Sequence, residues 1–222
     1  MGFVEKDIKW DSFFSSLLDP NEEIVRTYWF RPSRILDTHY THFNIRNSIC
    51  YKKYRNHFNN YRNNSDLVPQ IVKEDIENEA KSVEDWIRNE KRRFSEIEYN
   101  YDDLCLTYRN IEMVKSGVIK IDPQNHQYIG EKGVDIALAV KMIALSVEKK
   151  CDKIILISGD YDYAEAIKYV KNNMTKMHIV KIHKCTPPQN RSVSRDLAVL
   201  ADGIIDVFET EIKNRFLVNS SS

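Results

Sequence analysis

The pattern of apolar and polar residues divides the chain into regions of two kinds. From residue 111 to residue 216, short aliphatic runs alternate with stretches of helical length, which is typical of strands that alternate with helices. Such alternation predicts right-handed crossovers and an α/β fold, with a parallel sheet and helices on both faces. From residue 36 to residue 110, apolar side chains instead recur every three or four residues, which predicts helices.

Each element of the α/β region has its own signal. Lys153–Ile157 is a nearly unbroken aliphatic run, as expected of a strand buried on both faces. Val134–Val147 is apolar nearly all round, so we expect a helix buried against the sheet. The other predicted strands are Glu23–Phe30, two within Ile111–Asp122, His178–Ile182 and a short one at Ile204–Ile205. The other predicted helices are Trp10–Leu18, Tyr163–Val170, one opened by Ser194, and Phe208–Phe216.

Residues 36–110 predict a long α-helical hairpin inserted into the α/β fold. Two apolar seams, separated by Asn63–Asp66, favour two long antiparallel helices. The seams consist of Tyr51, Tyr54, Phe58 and Tyr61, and of Ile76, Ala80, Val83, Ile87, Phe94, Ile97, Tyr101, Leu104 and Tyr108. A continuous second helix would be about 50 Å long at ~1.5 Å per residue. That length favours a break near Glu98–Asn100.

The segment Tyr51–Phe58 also interleaves basic and aromatic residues. Such a segment can stack on the bases of single-stranded nucleic acid and neutralise its phosphates. It can also supply the aromatic seam of the first helix together with the solvated flank of that seam. The helical spacing of its aromatic residues favours this second interpretation.

Composition limits the environment and the partners. The 222 residues include 33 Lys and Arg and 33 Asp and Glu, so no overall field draws the chain to nucleic acid or membranes. We find no signal-peptide core and no apolar run of the ~20 residues that span a bilayer. We therefore expect a cytoplasmic protein without membrane contact. Its predicted parts are residues 1–35 and 111–216 of one α/β domain, the insertion 36–110 and a loose tail, 217–222.

Three aspartates are placed where an α/β sheet binds ligands. Asp160 and Asp162 follow the strand Lys153–Ile157, and Asp135 lies in the first turn of its helix. Each alone is explained by helix capping or the helix dipole, with Asp162 as the capping residue and Asp160 on the turn before it. Because strand ends and helix starts meet at one edge of a parallel sheet, we also expect the three acids to converge there.

Converging carboxylates repel one another unless a cation compensates them. A site built from oxygen atoms alone suits Mg²⁺ or Mn²⁺. Such an ion can activate water and stabilise the charge that develops on a phosphodiester. The residue types and their spacing leave both interpretations open, helix caps and a metal site.

Two segments carry a resemblance to a known family. Lys132-Gly133-Val134-Asp135, followed by Ser158-Gly159-Asp160-Tyr161-Asp162-Tyr163, resembles the NYN domain family, the LabA-like branch of the PIN-like nucleases. The pattern of that family is a K-G-x-D helix start and a strand that ends in S-G-D-x-D-[FY]. Ser194–Leu197 with Ala201-Asp202 is similar to the closing S-x-x-L…A-D segment. The resemblance covers residues 8–35 and 111–210.

The resemblance implies a PIN-like Rossmannoid fold and a ribonuclease that depends on Mg²⁺ or Mn²⁺. On the same basis, Asp135 and Asp160 would be catalytic metal ligands. Asp162 would be a further ligand or a base that positions water. Ser158 would be a hydrogen-bond partner that orients these ligands.

Two departures from the family pattern are present. The family opens with a central strand ending in D-G-x-N, and the only Asp-Gly pair here is Asp202-Gly203. We therefore expect the natural product to begin upstream of Met1, and we expect weak or absent nuclease activity if it does not. Many relatives also carry an acid six residues after the aspartate of K-G-x-D, where this chain has Lys141. Lys141 could contact phosphate, or it could mark a lost ligand.

Four further residues lie on or after a predicted strand end and could hold RNA phosphates, or could be ordinary solvated charges: Lys181, His183, Lys184 and Arg191. A rival function from another class is a non-catalytic module that binds RNA or protein. In that case the acids remain as caps, and the helical hairpin pairs with a partner or with a second copy of the chain.

Overall fold

The computed structural model describes residues 7–36, 49–54, 69–184 and 193–217. The chain divides into two compact units. The sheet unit contains residues 1–30, 100–114 and 135–222, and the helical unit contains residues 31–99 and 115–134. In chain order the elements are α1 (Trp10–Ser15), β1 (Thr27–Arg31), α2 (Ile49–Lys53), α3 (Gln70–Thr107), β2 (Ile111–Lys115), β3 (Val118–Asp122), β4 (Gln127–Lys132), α4 (Val134–Val147), β5 (Lys153–Leu156), α5 (Ala164–Asn172), β6 (Lys176–His183), α6 (Arg195–Leu200), β7 (Gly203–Phe208) and α7 (Glu209–Arg215).

The predicted α/β fold with parallel strands is confirmed in the sheet unit. Strands β5, β6 and β7 pair in that order, and both pairings are parallel. Strand β1 pairs with β2. The Thr27 amide donates to Asn110 O and the Ser116 amide to Arg31 O, each at 2.9 Å. Because partners follow one another in the same order along both strands, this pair is also parallel.

Helices cover both faces of the three-stranded sheet. Side chains of a strand alternate between its faces, and on β6 Met177 and Ile179 enter one hydrophobic cluster while Val180 enters another. The first cluster includes residues of α4, α5 and α6, and the second includes residues of α1 and α7. The prediction of helices on both faces is therefore confirmed.

The expectation that α4 is buried against the sheet holds for one face of the helix only. Met142 is buried against α5, but Ile136, Val140 and Val147 are 69%, 59% and 52% exposed. These three residues recur at spacings of four and seven, so they form one stripe along the helix. Within the described ranges, one face of α4 packs into the core and this apolar stripe faces outward.

Strands β1 and β5 each pair along one edge only within the described ranges. That the family's D-G-x-N strand lies upstream of Met1 stays a prediction. Strand β1 also begins later than predicted, at Thr27 and not at Glu23, and it follows a turn at Asp19–Glu22. The Glu22 carboxylate there pairs with Lys153 at the start of β5.

The helical unit contains a strand that the sequence analysis missed. Strands β3 and β4 form an antiparallel hairpin, and Asp122 at its turn accepts hydrogen bonds from Asn125. This is ordinary turn chemistry, so the residues 122–126 carried the signal. Strand β4 was missed because it is almost wholly exposed and lacks a clear apolar alternation.

The predicted break near residues 98–100 is also wrong, since α3 runs unbroken from Gln70 to Thr107. Glu98 pairs with the buried Arg31 side chain and with Lys115, at 3.2 Å for the second pair. Both contacts are made by the Glu98 side chain, which lies at the place where a break was expected. Among the described helices, none combines the length and the apolar character needed to cross a membrane.

The antiparallel arrangement predicted for the insertion holds where it is described. Glu79 of α3 accepts hydrogen bonds from the first amides of α2, at Ile49 and Cys50. Asp75, one turn earlier in α3, accepts from the Tyr54 hydroxyl that follows α2. Partners therefore run in opposite order along the two helices. The rest of the first predicted helix lies outside the described residues.

Candidate functional site

The turn after β5 is built by its own polar side chains. Ser158 Oγ accepts a hydrogen bond from the Asp160 amide at 3.3 Å. Asp160 Oδ1 in turn accepts from the Asp162 amide at 3.0 Å and so caps a short 3-10 turn, Tyr161–Tyr163. The capping residue is thus Asp160 and not Asp162, because the 3-10 turn begins three residues before α5. Ser158 orients the backbone of Asp160.

Asp135 is brought to this turn by a tyrosine. It lies in the first turn of α4 and is exposed. The hydroxyl of Tyr163, the residue just before α5, donates a hydrogen bond of 2.5 Å to Asp135 Oδ1. The start of α4 and the turn after β5 therefore meet at one edge of the sheet, as the strand-end argument predicts.

Both carboxylates act on the same phenol. Burial raises the pKa of Tyr163, and the hydrogen bond to Asp135 and the charges of Asp135 and Asp160 raise it further, while a hydrogen bond with Ser158 lowers it. Tyr163 therefore keeps its proton at neutral pH and remains a donor. The Tyr163 hydroxyl is thus held by Asp135 and lies within the electrostatic influence of Asp160.

The donor set fits a small divalent cation. Mg²⁺ in proteins is commonly held by one or two carboxylates together with water and substrate phosphates, and Asp135 and Asp160 are two exposed aspartates on neighbouring segments that Tyr163 connects. The described ranges contain no group of three or more His, Cys, Asp or Glu side chains that could hold a metal ion. The roles of Asp135, Asp160 and Asp162 as metal ligands stay predictions.

Lys141 has an aromatic partner in the sheet unit. Its Nζ lies 4.2 Å from the centroid of the Tyr28 ring on β1, in a cation–π contact. The contact fixes the lysine at the position, six residues after Asp135, where many relatives carry an acid. A role for Lys141 in contacting phosphate stays a prediction.

The other proposed phosphate-binding residues have different surroundings. His183, at the end of β6, has a side chain only 5% exposed, and its Nε2 lies 2.6 Å from Asp206 Oδ1. Its ring also stacks on Phe208. Lys181 is half-buried and Lys184 is exposed, while Arg191 lies outside the described residues. Sequence analysis did not single out Asp206, because its partnership with His183 depends on the register of β6 and β7.

The aspartate of the closing A-D segment has a structural role. Asp202 Oδ2 accepts a hydrogen bond of 2.8 Å from the buried Met177 amide, and the Asp202 amide donates to Met177 O. Its other carboxylate oxygen pairs with Lys171. Asp202 therefore joins the start of β6 to the start of β7. It lies at the amino-terminal end of these strands, whereas Asp160 follows the carboxyl-terminal end of β5.

Comparison with family models matches residues 50–208 to the NYN domain. The match covers more than half of the chain and includes Asp135, Asp160 and Asp162. A search among curated proteins and a search among solved structures each found no match.

Proposed function

Because this chain belongs to the NYN domain family, we propose that it is a ribonuclease that depends on a divalent metal ion. Membership of this family supports a PIN-like nuclease, because NYN domains typically bind RNA. The observation that carries the proposal is the hydrogen bond from Tyr163 to Asp135, which brings the start of α4 to the turn that Asp160 caps, at the carboxyl end of the parallel strands. This edge of an open α/β sheet is where ligands bind.

In the proposed site, Asp135 and Asp160 hold Mg²⁺ or Mn²⁺, and Asp162 is a further ligand or orients the attacking water. Such an ion, when bound, supplies activation of water and stabilisation of charge on the phosphodiester. Ser158 fixes the Asp160 backbone by accepting its amide hydrogen. Lys141, Lys181 and Lys184 are the proposed contacts to RNA phosphates, with His183 and Arg191 as further candidates. A homodimer or a protein partner through the insertion, and a cytoplasmic location, stay predictions.

Cleavage of end-labelled single-stranded RNA in Mn²⁺ tests this function. The wild type is expected to cleave the RNA, and cleavage is expected to stop when EDTA is added. Asp160→Asn is expected to lose this activity. Asp152→Asn is the matched control, because Asp152 is an exposed aspartate directly before the same strand. We expect it to cleave like the wild type. Equal cleavage by wild type and Asp160→Asn would indicate a contaminating nuclease and defeat the proposal.

One observation favours a second candidate, a non-catalytic module that binds RNA or protein. Asp160 already serves as a cap, and Asp135 already accepts a hydrogen bond from Tyr163. Both carboxylates therefore accept hydrogen bonds that stabilise the fold without a metal. Fluorescence anisotropy with labelled RNA separates the two functions. Binding that is unchanged by EDTA, together with absent cleavage by the wild type, would favour the module.

A further inference from the structure

Tyr163 contacts one carboxylate of the proposed site, that of Asp135, and the family resemblance assigns it no role. The residue is 3% exposed and belongs to the cluster that also contains Ile167 and Leu197. Its hydroxyl donates a hydrogen bond to Asp135 Oδ1. A buried ring fixed by packing is a rigid support for the group that it carries. Asp135, by contrast, lies on an exposed turn of α4.

An exposed aspartate on a helix populates several staggered rotamers. A hydrogen bond to a rigid donor selects one of them, and a charged acceptor makes that bond stronger than a neutral pair. Partners of this kind orient metal-ligating side chains in proteins, and their removal weakens metal binding. The contact with Tyr163 therefore has the geometry of a support for a ligand.

We propose that Tyr163 is a positioning residue, which holds Asp135 by one carboxylate oxygen so that the other oxygen faces a divalent cation. The proposal rests on the proposed function, since it needs Asp135 to be a ligand. It also assigns a consequence to a choice within the family pattern, whose last position allows Phe or Tyr. Only Tyr provides the hydroxyl, so this chain orients its aspartate in a way that a chain with Phe does not.

The test is the affinity for Mn²⁺ alone, measured by electron paramagnetic resonance, which reports the free ion. Tyr163→Phe removes one oxygen atom and keeps the buried ring. We expect Mn²⁺ binding to weaken about tenfold, with the stoichiometry at saturation unchanged. Tyr169→Phe is the matched control, because Tyr169 is half-exposed on the following helix α5. It is expected to bind Mn²⁺ like the wild type.

Asp135→Asn separates failure of this inference from failure of the proposed function. If Asp135→Asn loses Mn²⁺ binding but Tyr163→Phe binds within twofold of the wild type, Tyr163 is only a packing residue and the inference is overturned. If Asp135→Asn binds like the wild type, or the wild type binds no Mn²⁺, both proposals are wrong. Thermal unfolding in EDTA gives the change in fold stability for each variant, and a packing role predicts a loss there without a change in affinity. If Tyr163→Phe does not fold, Asp135→Glu is the second test, because one extra methylene displaces the carboxylate from the Tyr163 hydroxyl. Weaker Mn²⁺ binding is then expected, and binding within twofold of the wild type would overturn the inference.

Discussion

Replacing Asp202 by alanine is expected to destabilise the sheet unit, although Asp202 belongs to a segment of the family pattern. Its carboxylate accepts the amide hydrogen of Met177, a fully buried residue, at 2.8 Å, and it pairs with Lys171 at 2.9 Å. Alanine removes both contacts and leaves the Met177 amide without this acceptor.

The expected loss follows from these two contacts. A buried amide that loses its acceptor costs about 1–3 kcal/mol. The ion pair with the partly exposed Lys171 is worth a further ~0.2–1 kcal/mol. We therefore expect Asp202→Ala to lower the free energy of unfolding by about 1–4 kcal/mol. Asp202→Asn keeps an acceptor oxygen for the amide and should lose about 1 kcal/mol.

Urea denaturation of the wild type and both variants measures these differences as shifts in midpoint at constant m-value. The hydrogen bond from the Met177 amide, together with the ion pair to Lys171, holds the pKa of Asp202 below its usual range. A carboxyl whose pKa is lowered by folding stabilises the protein above its unfolded pKa of ~3.9. That contribution is lost as the pH falls through the folded pKa.

The difference between wild type and Asp202→Ala should therefore be constant from pH 7 to pH 5 and shrink below about pH 4. Two results would refute this reasoning. One is an Asp202→Ala variant within about 0.5 kcal/mol of the wild type, the range of ordinary surface substitutions. The other is an equal loss in Asp202→Asn and Asp202→Ala, since the amide would then contribute nothing as an acceptor.

Two further substitutions test the helical unit. Gly117 has φ +72°, and a Cβ there would lie 2.4 Å from Lys132 O. Gly117→Ala should therefore lower the free energy of unfolding, measured by urea denaturation, by more than about 2 kcal/mol. A neutral result would contradict the placement of β4. Glu98→Gln removes the negative charge that faces the Arg31 side chain, which is only 5% exposed. This substitution should lower the free energy of unfolding by about 3 kcal/mol. Glu96→Gln, in an exposed pair with Arg92, should cost less than about 0.5 kcal/mol, and equal losses would show that burial of the pair is unimportant.

Much of the fold could be predicted because the local sequence patterns agree with the helices and strands that the structure contains. Helix α4 has the predicted bounds, and Ser194 caps α6 by accepting the amide hydrogen of Leu197. An aliphatic run and a capping residue are local properties, so the sequence displays them directly. The exposure of Ile136 is not local, since it depends on which neighbouring element covers that face of α4.

The candidate site was predictable in part for the same reason. Asp135 and Asp160 could be placed at one sheet edge from topology alone. The hydrogen bond from Tyr163 could not be predicted, since it depends on the angle between α4 and the turn after β5. The stacking of His183 on Phe208 likewise depends on how two parallel strands are aligned. Topology brings residues to a region, and side-chain packing decides which of them touch.

Thermal unfolding in the presence of Mn²⁺ tests the central claim, that Asp135 and Asp160 bind a divalent metal ion. At 100 times the dissociation constant, a bound ion adds about 2.7 kcal/mol to stability, or about 5–10 °C in Tm for a chain of this size. The wild type should show this rise. Asp160→Asn should lose it, while the asparagine can still cap the turn. No rise in the wild type, or the same rise in both proteins, would contradict the account.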